Sequence, residues 1–236
     1  MSKPHRARAA TAFSRGARSA GLVAEIDLPE EMRNPWTRHR PSRRLGPATL
    51  LMPETLHRIC SIVFATDHHG RVLLQNRRRR PNLGRWTCCG GKLKSERGES
   101  PFDCAVRELH EETGFRVSPD DLQLFGVVNE TAYEGTDHWL MFLFRLRQPL
   151  PTLPPACVEG TFRFFRPVEL LTLPLPPVDR RYLWPLFFEQ REALAALRIN
   201  CAGGDWGEAI YEQGAPIPTL EDILPGVTSR AAVFSA

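Results

Sequence analysis

The order of apolar and polar residues predicts several short β-strands on both sides of one amphipathic helix. Residues 59–66 are rich in β-branched and apolar side chains, and a polar turn over residues 67–70 leads to a second such segment over residues 71–75. Two segments joined in this way are typical of a β-hairpin. The same criteria predict four more strands, over residues 85–89, 122–129, 138–146 and 161–165.

The helix between these strands has well-marked ends in the sequence. Ser100 is a favourable N-cap, Pro101 suits the first helical position, and Gly114 suits the residue after the last turn, where a positive φ is common. A buried face is predicted from four residues with the i, i+3, i+4, i+7 spacing, which are Phe102, Ala105, Val106 and Leu109. We therefore predict a helix over residues 101–113.

A second helix is predicted over residues 179–197 from its composition. Pro185 lies inside this segment and implies a kink there, or a helix that begins after Asp179. The apolar face would consist of Leu183, Leu186, Phe187, Leu194 and Leu197. Strands that precede and follow a central helix favour an α/β sandwich.

Composition supports one globular domain with additions. A chain of 236 residues is too short for two large domains. Its 42% hydrophobic and 25% charged residues are typical of a soluble globular protein, and no apolar run approaches the length of a membrane span. The six cysteines have neither a Cys-x-x-Cys pair nor zinc-ligand spacing, so we expect free, mostly buried thiols in a cytoplasmic protein.

The positive charge of the chain belongs to its first residues. Residues 1–50 contain ten Lys and Arg against four Asp and Glu, whereas the remainder contains 21 basic and 23 acidic residues. A nucleic-acid partner is therefore not indicated, and the basic segment is interpreted as a disordered tail, or as a transit peptide if the source is eukaryotic. We divide the chain into a leader (1–54), a domain (55–200) and a C-terminal extension (201–236).

Three carboxylates on the central helix indicate chemistry. Glu108, Glu111 and Glu112 have i, i+3 and i+4 spacing, so their side chains are neighbours near the C-terminal end of the helix. Both their mutual repulsion and the helix macrodipole disfavour this arrangement. A divalent cation reverses the balance, because Mg²⁺ is held by carboxylate oxygens together with water and phosphate. A solvated acidic face is the plain alternative.

These residues resemble the signature of the Nudix hydrolases. From Glu99 onward the sequence matches every defined position of that motif, namely Glu99, Arg107, Glu108, Leu109, Glu111, Glu112, Gly114 and Phe115. One position departs from it: seven residues separate Gly91 from Glu99 instead of five, which we interpret as an insertion within residues 92–97 with Gly90 and Gly91 still forming the turn. The resemblance implies a Nudix-type α/β/α sandwich with a mixed central sheet.

The resemblance also implies roles for individual residues. Glu108, Glu111 and Glu112 would hold Mg²⁺, for which Mn²⁺ can substitute, and the carbonyl of Gly91 would be a further metal ligand. Arg107 would pair with Glu99 or another carboxylate and fix its position. Glu159 is our candidate for the general base, although an ordinary turn residue explains it equally well, and Glu130 and Glu134 are weaker candidates.

Three residues outside the motif are candidates for substrate binding. Asp179 occupies a position at which similar enzymes hydrogen-bond a purine, and it would also serve as a helix N-cap. Trp184 would stack on the base, unless it is a core residue. Arg77 begins a run of four arginines that would attract phosphates, although such runs are usually solvated loops.

The sequence therefore suggests a Nudix hydrolase that converts a nucleoside triphosphate, with oxidised purine nucleotides such as 8-oxo-dGTP favoured, into the monophosphate and pyrophosphate. A hydrolase of dinucleoside polyphosphates or other nucleoside diphosphate derivatives is the alternative among enzymes, and Tyr133 lies where the former carry a tyrosine. A nucleotide-sensing regulator is the alternative from another class. We expect a small nucleotide as the ligand, no membrane contact, and a monomer or homodimer.

Overall fold

A computed structural model describes residues 57–135, 137–190, 193–204 and 207–224. The leader over residues 1–54 lies outside these ranges, and so do residues 225–236 of the predicted extension. Within the described residues no helix is both long and apolar enough to cross a membrane.

Twelve helices and strands are used below to locate the site, in chain order. The strands are β1 (Arg58–Phe64), β2 (Val72–Arg77), β3 (Trp86–Thr87), β4 (Cys89–Lys92), β5 (Leu122–Tyr133), β6 (Asp137–Leu146), β7 (Gly160–Phe165), β8 (Ala195–Asn200) and β9 (Glu208–Gln213). The α-helices are α1 (Pro101–Thr113), α2 (Trp184–Glu189) and α3 (Leu220–Ile223).

The larger sheet has six strands in the order β4-β1-β6-β5-β8-β9. Strand β1 runs parallel to β6, β5 runs parallel to β8, and the other neighbours are antiparallel. Val63 packs with the buried face of α1 on one side of this sheet, whereas Phe64 packs against α2 on the other. The predicted sandwich with a mixed central sheet is confirmed.

The predicted hairpin over residues 59–75 is formed only next to its turn, where the Leu73 amide donates to the Ala65 carbonyl at 2.9 Å, and its two strands then enter different sheets. Strand β2 belongs to a second sheet of three strands in the order β3-β2-β7, and only an isolated bridge between Thr66 and Val72 joins the two segments. The segment predicted as one strand over residues 85–89 is also divided, because β3 and β4 belong to different sheets. Gly90 and Gly91 lie within β4 and do not form the predicted turn.

Helix α1 matches the predicted bounds and ends. The Ser100 hydroxyl accepts a hydrogen bond from the Asp103 amide at 3.1 Å, Pro101 occupies the first turn, and Gly114 ends the helix with a φ of 78°. Ala105 and Leu109 are fully buried. The helix was predictable because its capping residues and its apolar face are local features of the sequence.

The second predicted helix is shorter than expected. A π-helical turn over Asp179–Leu183 leads into α2, which ends at Glu189, and residues 195–200 form strand β8. Leu197 is thus a buried strand residue and not part of a helical face. Strand β9, from the segment predicted as an extension, pairs with β8 in the central sheet.

The thiols agree with the prediction. All six cysteines are free, and five of them are buried.

Candidate active site

Strand β4 brings two glycines into very close contact with their neighbours. A Cβ atom at Gly90 would lie 2.3 Å from the carbonyl oxygen of Ser61, and one at Gly91 would lie 2.3 Å from the carboxyl group of Glu108. Cβ atoms do not approach other heavy atoms so closely. A side chain at Gly90 would therefore clash with the backbone of β1, and one at Gly91 would displace the Glu108 carboxylate. The missing side chain of Gly91 allows Glu108 of α1 to lie directly against the strand.

Arg107 connects the carboxylates of the helix. Its Nε and Nη2 donate to Glu99 at 2.6 and 2.9 Å, and its Nη1 donates to Glu108 at 2.6 Å and to Glu111 at 3.1 Å. The planar guanidinium provides the fork of donors that such an arrangement requires. Because these bonds stabilise its charged form, the pKa of Glu99 is lowered to about 2.

The insertion before Glu99 is a short 3₁₀ turn over Ser95–Arg97 that ends at Gly98. The Glu99 carboxylate accepts a hydrogen bond from the Lys94 amide at 2.7 Å, across this turn. The two additional residues are therefore accommodated locally, and Glu99 still reaches Arg107.

Glu112 contacts strand β4, whereas Glu111 contacts Arg107 and Lys94. The residue is 6% exposed, and its Oε2 accepts a hydrogen bond from the Gly90 amide at 3.2 Å. Its Oε1 is buried and accepts no hydrogen bond of ordinary geometry among the described residues, and the Cys89 thiol is the other side-chain neighbour of this carboxylate. Burial, together with the charge of Glu159, raises the pKa of Glu112 to about 8.

The described residues contain no group of three or more His, Cys, Asp or Glu side chains already converged for a metal ion. Glu108 and Glu111 face Arg107, and Glu112 faces Gly90. The donor set nevertheless suits a hard divalent cation, because it consists of carboxylate oxygens. The unpartnered Oε1 of Glu112 is a buried acceptor that a cation would satisfy.

Glu159 lies immediately before β7 and faces the same carboxylates. Its charge raises the pKa of both Glu108 and Glu112, although burial is the larger cause for each. Arg77 Nη1 donates to the Glu159 carboxylate at 3.4 Å, and the Arg78 amide donates to its carbonyl at 2.8 Å. The side chain is 41% exposed, so its carboxylate is accessible to water.

A cavity of about 400 Å³ extends from these carboxylates into the protein. Its wall includes alternate residues of the central sheet, Cys60 and Ile62 from β1 and Trp139 and Met141 from β6. This alternation follows from the pleat, which directs every second side chain to the same face. The central sheet therefore provides an apolar wall of the cavity.

The floor of the cavity contains two acidic side chains, Glu130 and Asp179. Glu130 is 4% exposed, and burial together with the charge of Asp179 raises its pKa to about 8. Burial also raises the pKa of Asp179 to about 7, against the opposing effect of Arg85. At neutral pH these groups are able to donate as well as accept hydrogen bonds.

The structure brings most of the predicted site residues together. Six of these residues line the same cavity, namely Gly91, Arg107, Glu108, Glu159, Asp179 and Arg77. Three others form hydrogen bonds with residues of its wall, namely Glu99, Glu111 and Glu112. The prediction that Trp184 stacks on the base is wrong, because its side chain is 1% exposed and packs against Phe64 and Phe187. A ring enclosed in this way has no free face on which a base could stack.

Two residues that line the cavity, Glu130 and Tyr133, were not predicted from the sequence as main candidates for the site. Glu130 lies two residues after Val128 on β5, and both are buried. The period of two along a strand was therefore the signal that placed Glu130 inside. No comparable signal places the Tyr133 hydroxyl on Asn82, to which it donates a hydrogen bond 51 residues away in sequence.

Comparison with known proteins gives a family match over most of the described chain. The family model described as NUDIX domain matches residues 55–184. An uncharacterized Nudix hydrolase of Bacillus subtilis, YvcI, is 34% identical over 133 residues, which cover 54% of this chain and 77% of that protein.

One further relative matches over only part of its length, and one solved structure is similar in fold. An isopentenyl-diphosphate Delta-isomerase of Streptomyces avermitilis is 44% identical over 80 residues, which are 32% of this chain and 38% of the isomerase. The crystal structure of a MutT protein from Bacillus halodurans superposes with a TM-score of 0.52 at 22% identity, covering 67% of this chain and 99% of that one. At this identity the superposition establishes the fold alone.

Proposed function

The chain belongs to the Nudix family and is a pyrophosphohydrolase that acts on nucleoside diphosphate derivatives, and we propose that its substrate is a nucleoside triphosphate. The products would be the monophosphate and pyrophosphate. Oxidised purine nucleotides, with 8-oxo-dGTP as the leading example, are the substrates that we favour. The proposal rests on one observation above all, which is that Glu108 of α1, Glu159 and the acidic pair Glu130 and Asp179 line one cavity.

Four groups would hold the metal, namely the carboxylates of Glu108, Glu111 and Glu112 and the carbonyl of Gly91. We propose Mg²⁺, with Mn²⁺ as a substitute, because hard oxygen ligands favour these ions. Such an ion neutralises charge on the phosphates and lowers the pKa of bound water. The buried Oε1 of Glu112 supports this assignment, because a cation would provide it with a strong partner.

Glu159 is proposed as the general base. Its carboxylate would take a proton from the attacking water while the water oxygen bonds to phosphorus. The bond from that phosphorus to the bridging oxygen breaks, and its electron pair leaves with pyrophosphate. Support comes from the position of Glu159 beside Glu108 and Glu112 and from its exposure to water.

Arg107 and Glu99 are proposed to position the ligands without contacting the substrate's reacting atoms. Arg107 donates to Glu108 and Glu111, and Glu99 holds two of the remaining guanidinium donors. Fixing these carboxylates before the substrate binds reduces the reorganisation that the reaction requires.

Asp179 is proposed to bind the purine edge at the floor. With its pKa raised to about 7, its carboxyl group is able to accept from a purine N–H or donate to a ring nitrogen or carbonyl. Its position on the first turn of the helix that precedes α2 is also that of a helix-start residue, and the two roles are compatible.

The proposal is tested by incubating the purified protein with Mg²⁺ and a set of nucleotides, then identifying the products. The set contains normal and 8-oxo-guanine triphosphates, dinucleoside polyphosphates and ADP-ribose. Monophosphate plus pyrophosphate from a triphosphate supports the proposal, whereas faster cleavage of a dinucleoside polyphosphate replaces it with the alternative substrate class. Glu159→Gln should lower kcat by at least about 100-fold, while Glu96→Gln, a matched change at an exposed position, should not.

A further inference from the structure

The segment between β2 and β3, residues 78–85, forms a closed loop that we call the arginine loop. The Arg77 amide donates to the Arg85 carbonyl at 3.0 Å, and the Gly84 amide donates to the Arg77 carbonyl at 2.8 Å. The Arg77 Nε donates to the Pro81 carbonyl at 2.9 Å. Three hydrogen bonds across so short a loop give it a defined shape.

A further contact attaches the arginine loop to the central sheet. The Tyr133 hydroxyl, at the end of β5, donates a hydrogen bond to the Asn82 side chain. Tyr133 and Asn82 both line the cavity. The loop is therefore held at the cavity by a side chain of β5.

Two arginines of this loop face the cavity without an ionic partner. Arg79 and Arg80 line the cavity, are exposed, and form no ion pair with any described residue. In contrast, Arg77 pairs with Glu159 at 3.4 Å. Arg78 is also exposed but is absent from the residues that line the cavity in the described structure. Of the four consecutive arginines, only Arg79 and Arg80 both line the cavity and lack an ion pair with a described residue.

The charges around the cavity restrict what Arg79 and Arg80 could bind there. Glu130 and Asp179 on the floor provide no positive charge for an anionic group, whereas Arg79 and Arg80 do. Exposed guanidiniums attract phosphate oxygens and bind them through two parallel hydrogen bonds. The ligand that suits Arg79 and Arg80 is therefore an anionic group of the same molecule that binds in the cavity.

We propose that Arg79 and Arg80 form a binding site for a third phosphate, beyond the two that flank the cleaved linkage. This inference rests on the proposed function, because it assumes that the diphosphate lies at the carboxylates of α1. It makes the arginine loop the element that favours nucleoside triphosphates over nucleoside diphosphates and diphosphate sugars.

The test compares 8-oxo-dGTP with 8-oxo-dGDP in the Arg79→Ala/Arg80→Ala double variant. We expect kcat/KM to fall by about 10- to 100-fold for the triphosphate, which is the usual effect of losing a charged hydrogen bond to phosphate. The value for the diphosphate should fall by less than about threefold, through the loss of general attraction alone. Arg78→Ala is the matched control and should leave both values within about twofold.

Equal losses for the two nucleotides, no loss for either, or an effect of Arg78→Ala as large as that of the double variant would overturn the inference. A second measurement separates it from the proposed function. Calorimetric titration with inorganic tripolyphosphate and with pyrophosphate measures binding of phosphates alone. It therefore requires neither a purine base on the ligand nor turnover. If the wild-type protein cleaves neither nucleotide, weaker binding of tripolyphosphate alone by the double variant still supports the site, and unchanged binding rejects it.

Discussion

A Cβ atom at Gly91 would overlap the carboxyl group of Glu108. A methyl group there would lie 2.3 Å from both the carboxyl carbon and Oε1 of Glu108. The overlap is with the flexible end of a side chain and not with backbone, so the carboxylate and not the fold would have to move. The absence of a side chain at Gly91 in strand β4 thereby leaves the space that the Glu108 carboxylate of helix α1 occupies.

Gly91→Ala should therefore reduce activity more than stability. We expect kcat/KM to fall by about 10- to 100-fold, the range seen when groups that orient a metal ligand are disturbed. The melting temperature should change by only a few degrees, on the order of a surface substitution. Gly203→Ala is the control, because no heavy atom lies within 4 Å of its Cβ position. Full activity of Gly91→Ala would show that the position of Glu108 is unimportant.

Glu112→Gln should abolish most turnover and leave the fold intact. The change prevents the buried side chain from ionising to bind a cation, but it keeps the shape of the side chain and one oxygen. We expect kcat with Mg²⁺ to fall by at least about 100-fold, because a direct ligand should matter at least as much as the residues that orient it. Glu96→Gln, with its exposed carboxylate, is the matched control. Activity equal to wild type, with an unchanged circular dichroism spectrum, would remove Glu112 from the metal site.

Arg107→Lys should impair catalysis although the charge is conserved. A lysine lacks the planar fork with which Arg107 contacts Glu99 and Glu108 together. We expect kcat/KM to fall by about 10- to 100-fold and the Mg²⁺ concentration for half-maximal rate to increase. The same change at the exposed Arg97 is the control. If Arg107→Lys retained both values, charge alone would explain the role of Arg107.

Glu130 should make the protein less stable as the pH rises. Burial raises its pKa from 4.5 in the unfolded chain to about 8 in the folded protein. Between these values the folded state retains a proton that the unfolded state has lost, so the free energy of unfolding decreases with increasing pH, by at most about 1.4 kcal/mol for each pH unit. Below this window both states are protonated, and above it both are ionised.

Urea denaturation across this pH range measures the effect. Glu130→Gln should flatten the decrease, because its side chain is neutral in both states. Glu134→Gln changes an exposed neighbour and should preserve the wild-type pH profile. Identical profiles for wild type and Glu130→Gln would mean that Glu130 does not titrate in this window.

The features that depend on neighbouring residues in the sequence were predictable. Ser100, Pro101 and Gly114 determine the ends of α1, and the spacing of Glu108, Glu111 and Glu112 places them on adjacent turns whatever surrounds the helix. The failed predictions all concern distant partners. Strand β1 pairs with β6, about 80 residues later, instead of with β2, and local hydrophobic pattern contains no information about that choice.

The amino-acid sequence by itself therefore determined the helix with its carboxylates and, through the motif, the family. Only the tertiary structure decided what surrounds them: that Glu130 and Asp179 share one floor, that Trp184 is enclosed in the core, and that residues 195–200 complete the sheet. The physical reason is that helix caps and side-chain spacing act over a few residues. Strand pairing and cavity walls instead depend on burial and hydrogen bonds between segments that are far apart in the chain.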